Sequence, residues 1–99
     1  MTIKDVISNV EELNEQIVVY AKRIDGRFES SSEAVRLELS DVDLELPVNK
    51  VSEKYCLGFD YFLEGCIIRE MIEGIRAVPE YQTVEQRVKR IIYYAEFDA

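Results

Sequence analysis

Asp41, Asp43 and Glu45 stand at every second position of the run DVDLE, and clustered carboxylates are what hard divalent cations require. An EF-hand loop counted from Asp41 needs a glycine and then a glutamate where Leu46 and Ser52 stand. In an extended backbone the three carboxylates would share one edge about 6–7 Å apart, too far to chelate one ion without help from elsewhere. Cys56 and Cys66 are ten residues apart with no CxxC, which reads as two reduced, partly buried thiols rather than a disulfide framework. Histidine is absent. That removes Ser-His-Asp and Cys-His nucleophilic pairs, most zinc sites and the usual proton shuttle of neutral pH. A nucleophilic Cys66 would need a base or a lowered pKa, and the sequence supplies neither. No catalytic, cofactor or metal site is expected; a carboxylate–metal enzyme is the remaining catalytic alternative.

What the carboxylates do supply is charge. The 99-residue chain carries 20 acids against 12 bases, a net charge of −8. Residues 29–45 hold six acids (Glu29, Glu33, Glu38, Asp41, Asp43, Glu45) against Arg36 alone, a local net of −5. Such a surface repels nucleic acid and anionic membranes and favours a basic partner. Arg87, Lys89 and Arg90 are too few on so acidic a chain to neutralise a phosphate backbone, and read as a solvated helix face. With 47% hydrophobic residues and ten aromatics, the chain is expected to fold, as one domain over residues 1–99. No apolar run approaches the ~20 residues of a membrane span. The acids in MTIKDVISNVEEL do not fit a signal peptide, so a cytoplasmic location is expected.

The elements that must carry these residues follow from periodicity. In residues 33–47, Val35, Leu37 and Leu39 alternate with Arg36, Glu38 and Ser40 as in a strand with one buried face. The apolar parity then flips, so the chain must bulge, turn or leave the sheet near Ser40–Asp41. Thr2 with Asp5 reads as a capping box for a helix over 2–13. The β-branched IVVY run predicts a strand over 16–22, with continuation of the first helix as its alternative. Asp25-Gly26 signals a turn, and Pro47 breaks regular structure. KYCLG at 54–58 reads as a third strand, and Asp60 as the N-cap of a long helix to about residue 76. Leu63, Ile67, Ile68, Met71, Ile72 and Ile75 line its apolar side; Gly65 suits a close approach to a strand. Thr83 and Gln86 form a second capping box for a helix to about residue 96. The expected class is α+β in the order α-β-β-(β)-α-α, a small antiparallel sheet of 2–4 strands with about three helices on one face.

The segments TIKDVISNVEEL, IVVYA, YCLGFDYFLEGCIIREMIEG and IIYYAEFDA, with the acidic middle between them, resemble small acidic bacterial immunity proteins of polymorphic and contact-dependent growth-inhibition toxin systems. The resemblance implies a stoichiometric inhibitor that covers a cognate toxin domain, commonly a basic nuclease. Charge reasoning places the contact on Glu38, Asp41, Asp43 and Glu45, with Phe62 and Glu64 next. The expected state is a monomer or weak homodimer that binds neither nucleic acid nor membrane. The alternative is a non-enzymatic adaptor or oligomeric subunit using Phe62, Cys66 and Tyr93 as an apolar contact; helical phase leaves Tyr93 exposed.

Overall fold

A computed structural model describes residues 1–98. Helix α1 (Ile3–Ser8) and a 3-10 turn (Val10–Glu12) lead into β1 (Ile17–Ala21). Strand β2 (Ala34–Glu38), the short helix α2 (Asp41–Leu44) and α3 (Val48–Tyr55) follow. Strand β3 (Asp60–Glu64) runs directly into α4 (Gly65–Ile75), and a 3-10 turn (Pro79–Tyr81) precedes α5 (Val84–Phe97). The fold is α+β. Its three strands form one antiparallel sheet in the order β2-β1-β3.

Local chemistry sets many of these boundaries. Thr2 and Asp5 close a reciprocal capping box on α1, as Thr83 and Gln86 do on α5. Each satisfies backbone N–H groups that a helix start otherwise leaves orphaned. The β-branched run does form the central strand, and Asp25 and Gly26 both take positive φ in the turn after it, bracketed by the Ile24–Arg27 bridge.

The sheet is covered on both sides, where helices on one face were expected. Because side chains alternate along a strand, Val19 and Ala21 join the larger core with α1, α4 and α5, built on Ile3, Val6, Ile68, Ile72, Val88 and Ile91. Val18 and Tyr20 face the other way, into a smaller core with Leu39, Val51 and Cys56. Val35 and Leu37 pack against this smaller core. Tyr20 donates its hydroxyl hydrogen to the Val48 carbonyl at 3.1 Å, which fastens α3 to this face. Burial pushes the pKa of that phenol up to about 12.

Two further expectations are corrected. KYCLG is the end of α3 and the turn after it, closed by Gly58 at a φ of +92°. The third strand is Asp60–Glu64, in place of the first turn of a long helix. Asp60 accordingly pairs with Arg23 at 3.1 Å instead of capping α4. Along β3 the register shifts, with Val19 opposite Leu63 but Tyr20 opposite Tyr61. Phe62 is therefore the extra residue of a β-bulge. The bulge lets Phe62 and its neighbour Leu63 both enter the larger core, which strict alternation would forbid.

Candidate partner-binding site

The parity flip after Leu39 marks the point where the chain leaves the sheet. Ser40 is extended and caps α2, its hydroxyl accepting from the Asp43 N–H at 3.2 Å. Asp41, Asp43 and Glu45 are therefore not the shared extended edge that alternation suggested. On a helix, positions i and i+4 neighbour one another while i+2 turns away. Asp41 and Glu45 are exposed, and Asp43 is 7% exposed.

Asp43 faces α3. Its carboxylate accepts from Lys54 Nζ at 3.0 Å and from the Tyr55 hydroxyl. The Tyr55 hydrogen bond, and then that of Lys54, hold the Asp43 carboxyl below its ordinary value. A folded-state pKa below the unfolded one stabilises the fold above about pH 4 and loses that contribution as pH falls through the folded value. Asp43→Asn should therefore be less stable than the parent at neutral pH, with the difference shrinking below about pH 4. Urea midpoints at the two pH values check this; a gap independent of pH would contradict it. Asp43 thus joins α2 to α3, and as a partner-binding residue it is corrected.

Phe62 is corrected as well. It is 2% exposed and meets the Phe28 ring edge-to-face, with centroids 5.0 Å apart. The apolar trio of Phe62, Cys66 and Tyr93 is not one surface: Phe62 is interior and Cys66 is half-buried. Tyr93 is 53% exposed on α5, its ring tilted against that of Phe97. Both cysteines are free thiols, and burial pushes the Cys56 thiol up.

Four of the expected residues do share one end of the molecule. Register places Glu38 opposite Ile17 and Glu64 opposite Val18, so these two flank the start of β1 from either side. Asp41 and Glu45 follow directly on the turn at Ser40, and Leu39 N–H is bonded to the Gln16 carbonyl at that same end. Three further acids join them. Glu15 precedes β1, and Glu70 and Glu73 project from α4; together with Glu38 they line an open groove of about 670 Å³. Arg69 is its basic residue, committed to Glu73 and to the Leu13 carbonyl, both at 3.2 Å.

Among the described residues, Glu15, Glu38, Asp41, Glu45, Glu64 and Glu70 take part in no ion pair, whereas acids elsewhere, such as Glu33, Glu85 and Glu96, do. These six unpaired carboxylates share the end of the sheet where β1 begins; Asp5, Asp25, Glu80 and Asp98, which also make no ion pair among the described residues, are scattered elsewhere along the chain. Glu15, Glu70 and Glu73 carry no local sequence signal, since only the strand register and the seat of α4 bring them to Glu38. Beside the acids, α2 and the start of α3 expose Val42 (73%) and Val48 (51%). Among the described residues no three Asp, Glu or Cys side chains are grouped to hold a metal ion, and no helix is long and apolar enough to cross a membrane. Comparison with known proteins finds no matching family model, no similar curated protein and no similar solved structure.

Proposed function

We propose that this chain is a non-enzymatic immunity protein that neutralises a basic toxin domain, a nuclease in the reading favoured here, through the acidic end of its sheet. The observation that carries the reading is the set of carboxylates around the start of β1, of which Glu15, Glu38, Asp41, Glu45, Glu64 and Glu70 take part in no ion pair among the described residues, while Glu73 alone is answered, by Arg69. Same-sign charges on a rigid frame steer an oppositely charged partner and raise encounter rates by about 10–10³-fold at low salt. Carboxylates can also stand where the phosphates of a nucleic-acid substrate would lie. Val42, Leu44 and Val48, exposed beside Asp41 and Glu45, supply apolar contact area of the kind that slows dissociation. The toxin-inhibitor reading belongs to a cytoplasmic protein of a polymorphic or contact-dependent growth-inhibition system.

Its test is kinetic. Glu38→Lys combined with Glu70→Lys should slow association with a basic toxin domain that the parent binds by about tenfold at low salt and flatten its salt dependence. An unchanged on-rate would remove the acidic end from the contact. The exposed Tyr93–Phe97 ring pair, 4.9 Å between centroids, favours a second reading, an adaptor docking through α5. Tyr93→Ser with Phe97→Ser should leave toxin binding intact if the first reading holds.

A further inference from the structure

The two outer edges of the sheet differ in kind. Strand β3 is interrupted by its bulge, one of the devices that stop an edge from templating further pairing. Strand β2 pairs with β1 without interruption, from Ala34 opposite Ala21 to Glu38 opposite Ile17, and contains neither proline nor a bulge. Lys22 N–H donates to the Glu33 carbonyl and Leu39 N–H to the Gln16 carbonyl, each at 2.8 Å. The odd-numbered residues of β2 therefore turn their backbone groups to β1, and the even-numbered ones turn theirs outward. The first outward group is already covered, since Ala34 N–H donates to the Met1 carbonyl at 2.8 Å and Thr2 bridges Glu33. Arg36 and Glu38 make no backbone hydrogen bond outside the sheet among the described residues.

What stands at those two positions selects the occupant. Charged residues of one sign would repel a second copy of this strand, as edge charges commonly do. Arg36 and Glu38 are instead of opposite sign, two residues apart, with Leu37 between them. Antiparallel pairing of two such strands about a two-fold axis at Leu37 sets each Arg36 directly opposite the other copy's Glu38. It also sets Val35 opposite Leu39. Residues directly opposite one another lie on the same face and stay within contact distance. Arg36 already sits on that face, with its side chain 25% exposed and paired with Glu12. On the other face, Val35 and Leu37 are half-buried at the rim of the smaller core, and the pairing would extend that core across the axis. A surface matched to itself in this way is what a two-fold dimer requires.

We infer that the β2 edge is an interface between two copies of this chain, joined through Arg36–Glu38 pairs and the outward backbone groups of these two residues into one six-stranded sheet. The contact is short and each copy carries −8, so the dimer is a weak one that forms by mass action. It does not rest on the toxin-inhibitor reading. Glu38 serves both surfaces, so a basic partner in the acidic groove competes with the second copy.

Sedimentation velocity on the full chain, over roughly a hundredfold range of concentration, tests the inference together with amide hydrogen exchange. The parent should shift from monomer to dimer, and the Arg36 and Glu38 amides should exchange more slowly as it does. Glu38→Arg sets two arginines opposite one another and should weaken the dimer about tenfold or more. Arg36→Glu with Glu38→Arg re-creates the match and should restore it. A chain that stays monomeric throughout would overturn the inference. So would a dimer in which those two amides remain unprotected, or a double variant no better than Glu38→Arg. Protection of the two amides on adding a basic partner to a monomeric chain would assign the edge to that partner instead.

Discussion

Replacing Phe62 by alanine should lower the free energy of unfolding by about 3–5 kcal/mol, the range for truncating a buried aromatic. Phe62 is 2% exposed, sits in the β3 bulge and packs edge-to-face on Phe28. Helices on one side and the sheet on the other leave little room for the void to collapse. Domains of this size have a total stability of about 5–15 kcal/mol, so the variant should lie near its unfolding midpoint under conditions where the parent is fully folded. Urea denaturation with an unchanged slope and a large fall in midpoint is the expected result. A loss below about 1 kcal/mol would mean that the ring is not in the core, and would return Phe62 to the candidate partner-contact residues.

Gly65→Ala should cost about 1–3 kcal/mol through overpacking, although alanine is the better helix former. A Cβ at this position would stand 2.9 Å from the Ile17 carbonyl oxygen and 3.3 Å from that of Asn14. Both are backbone atoms, one at the start of β1 and one in the segment leading into it, and neither can rotate aside as a side chain would. The missing side chain is what lets the first turn of α4 rest against β1, which in turn sets Glu70 and Glu73 beside Glu15 and Glu38. Gly74 is the control. It lies in the same helix, and a Cβ there would meet nothing within 4 Å, so Gly74→Ala should stabilise by about 0.5–1 kcal/mol. Opposite signs for one substitution in one helix, read from thermal or urea midpoints, are the signature; a stabilising Gly65→Ala would show that α4 does not touch β1.

Much of the fold was legible wherever local chemistry and periodicity agree. The two capping boxes, the IVVY strand and the apolar side of α4 are all local signals, and each appears where the residues place it. The region from 54 to 64 was not legible for a specific reason. Leu63 falls in helical phase with Ile67 and Ile68, and an aspartate before an apolar run looks like a cap. The pairing of Asp60–Glu64 with β1, together with its bulge, is a non-local event that no window of neighbours records. Helix α3 was hidden by Pro47, which blocks a central strand yet is compatible with a helix start.

The site divides along the same line. The parity flip marks the departure from the sheet, but the period of two continues in the sequence past Ser40, where the chain is helical. There that period assigns Asp43 to the same exposed row as Asp41 and Glu45. Glu38 and Glu64 are legible as charged residues, whereas their arrival at the same end of the sheet, on opposite faces of it, depends on register. Glu15, Glu70 and Glu73 could not have been singled out without that register, because each is locally an ordinary surface acid.

The central claim is that the acidic end of the sheet seats a basic toxin domain. Isothermal titration of the purified chain with candidate basic nuclease toxin domains, alongside an assay of the nuclease substrate, tests this most directly. One-to-one binding that weakens with salt, full protection of the substrate, and loss of both in the Glu38→Lys/Glu70→Lys variant are the predicted results. No heat of binding and no protection, or a complex indifferent to salt and to both charge reversals, would contradict it.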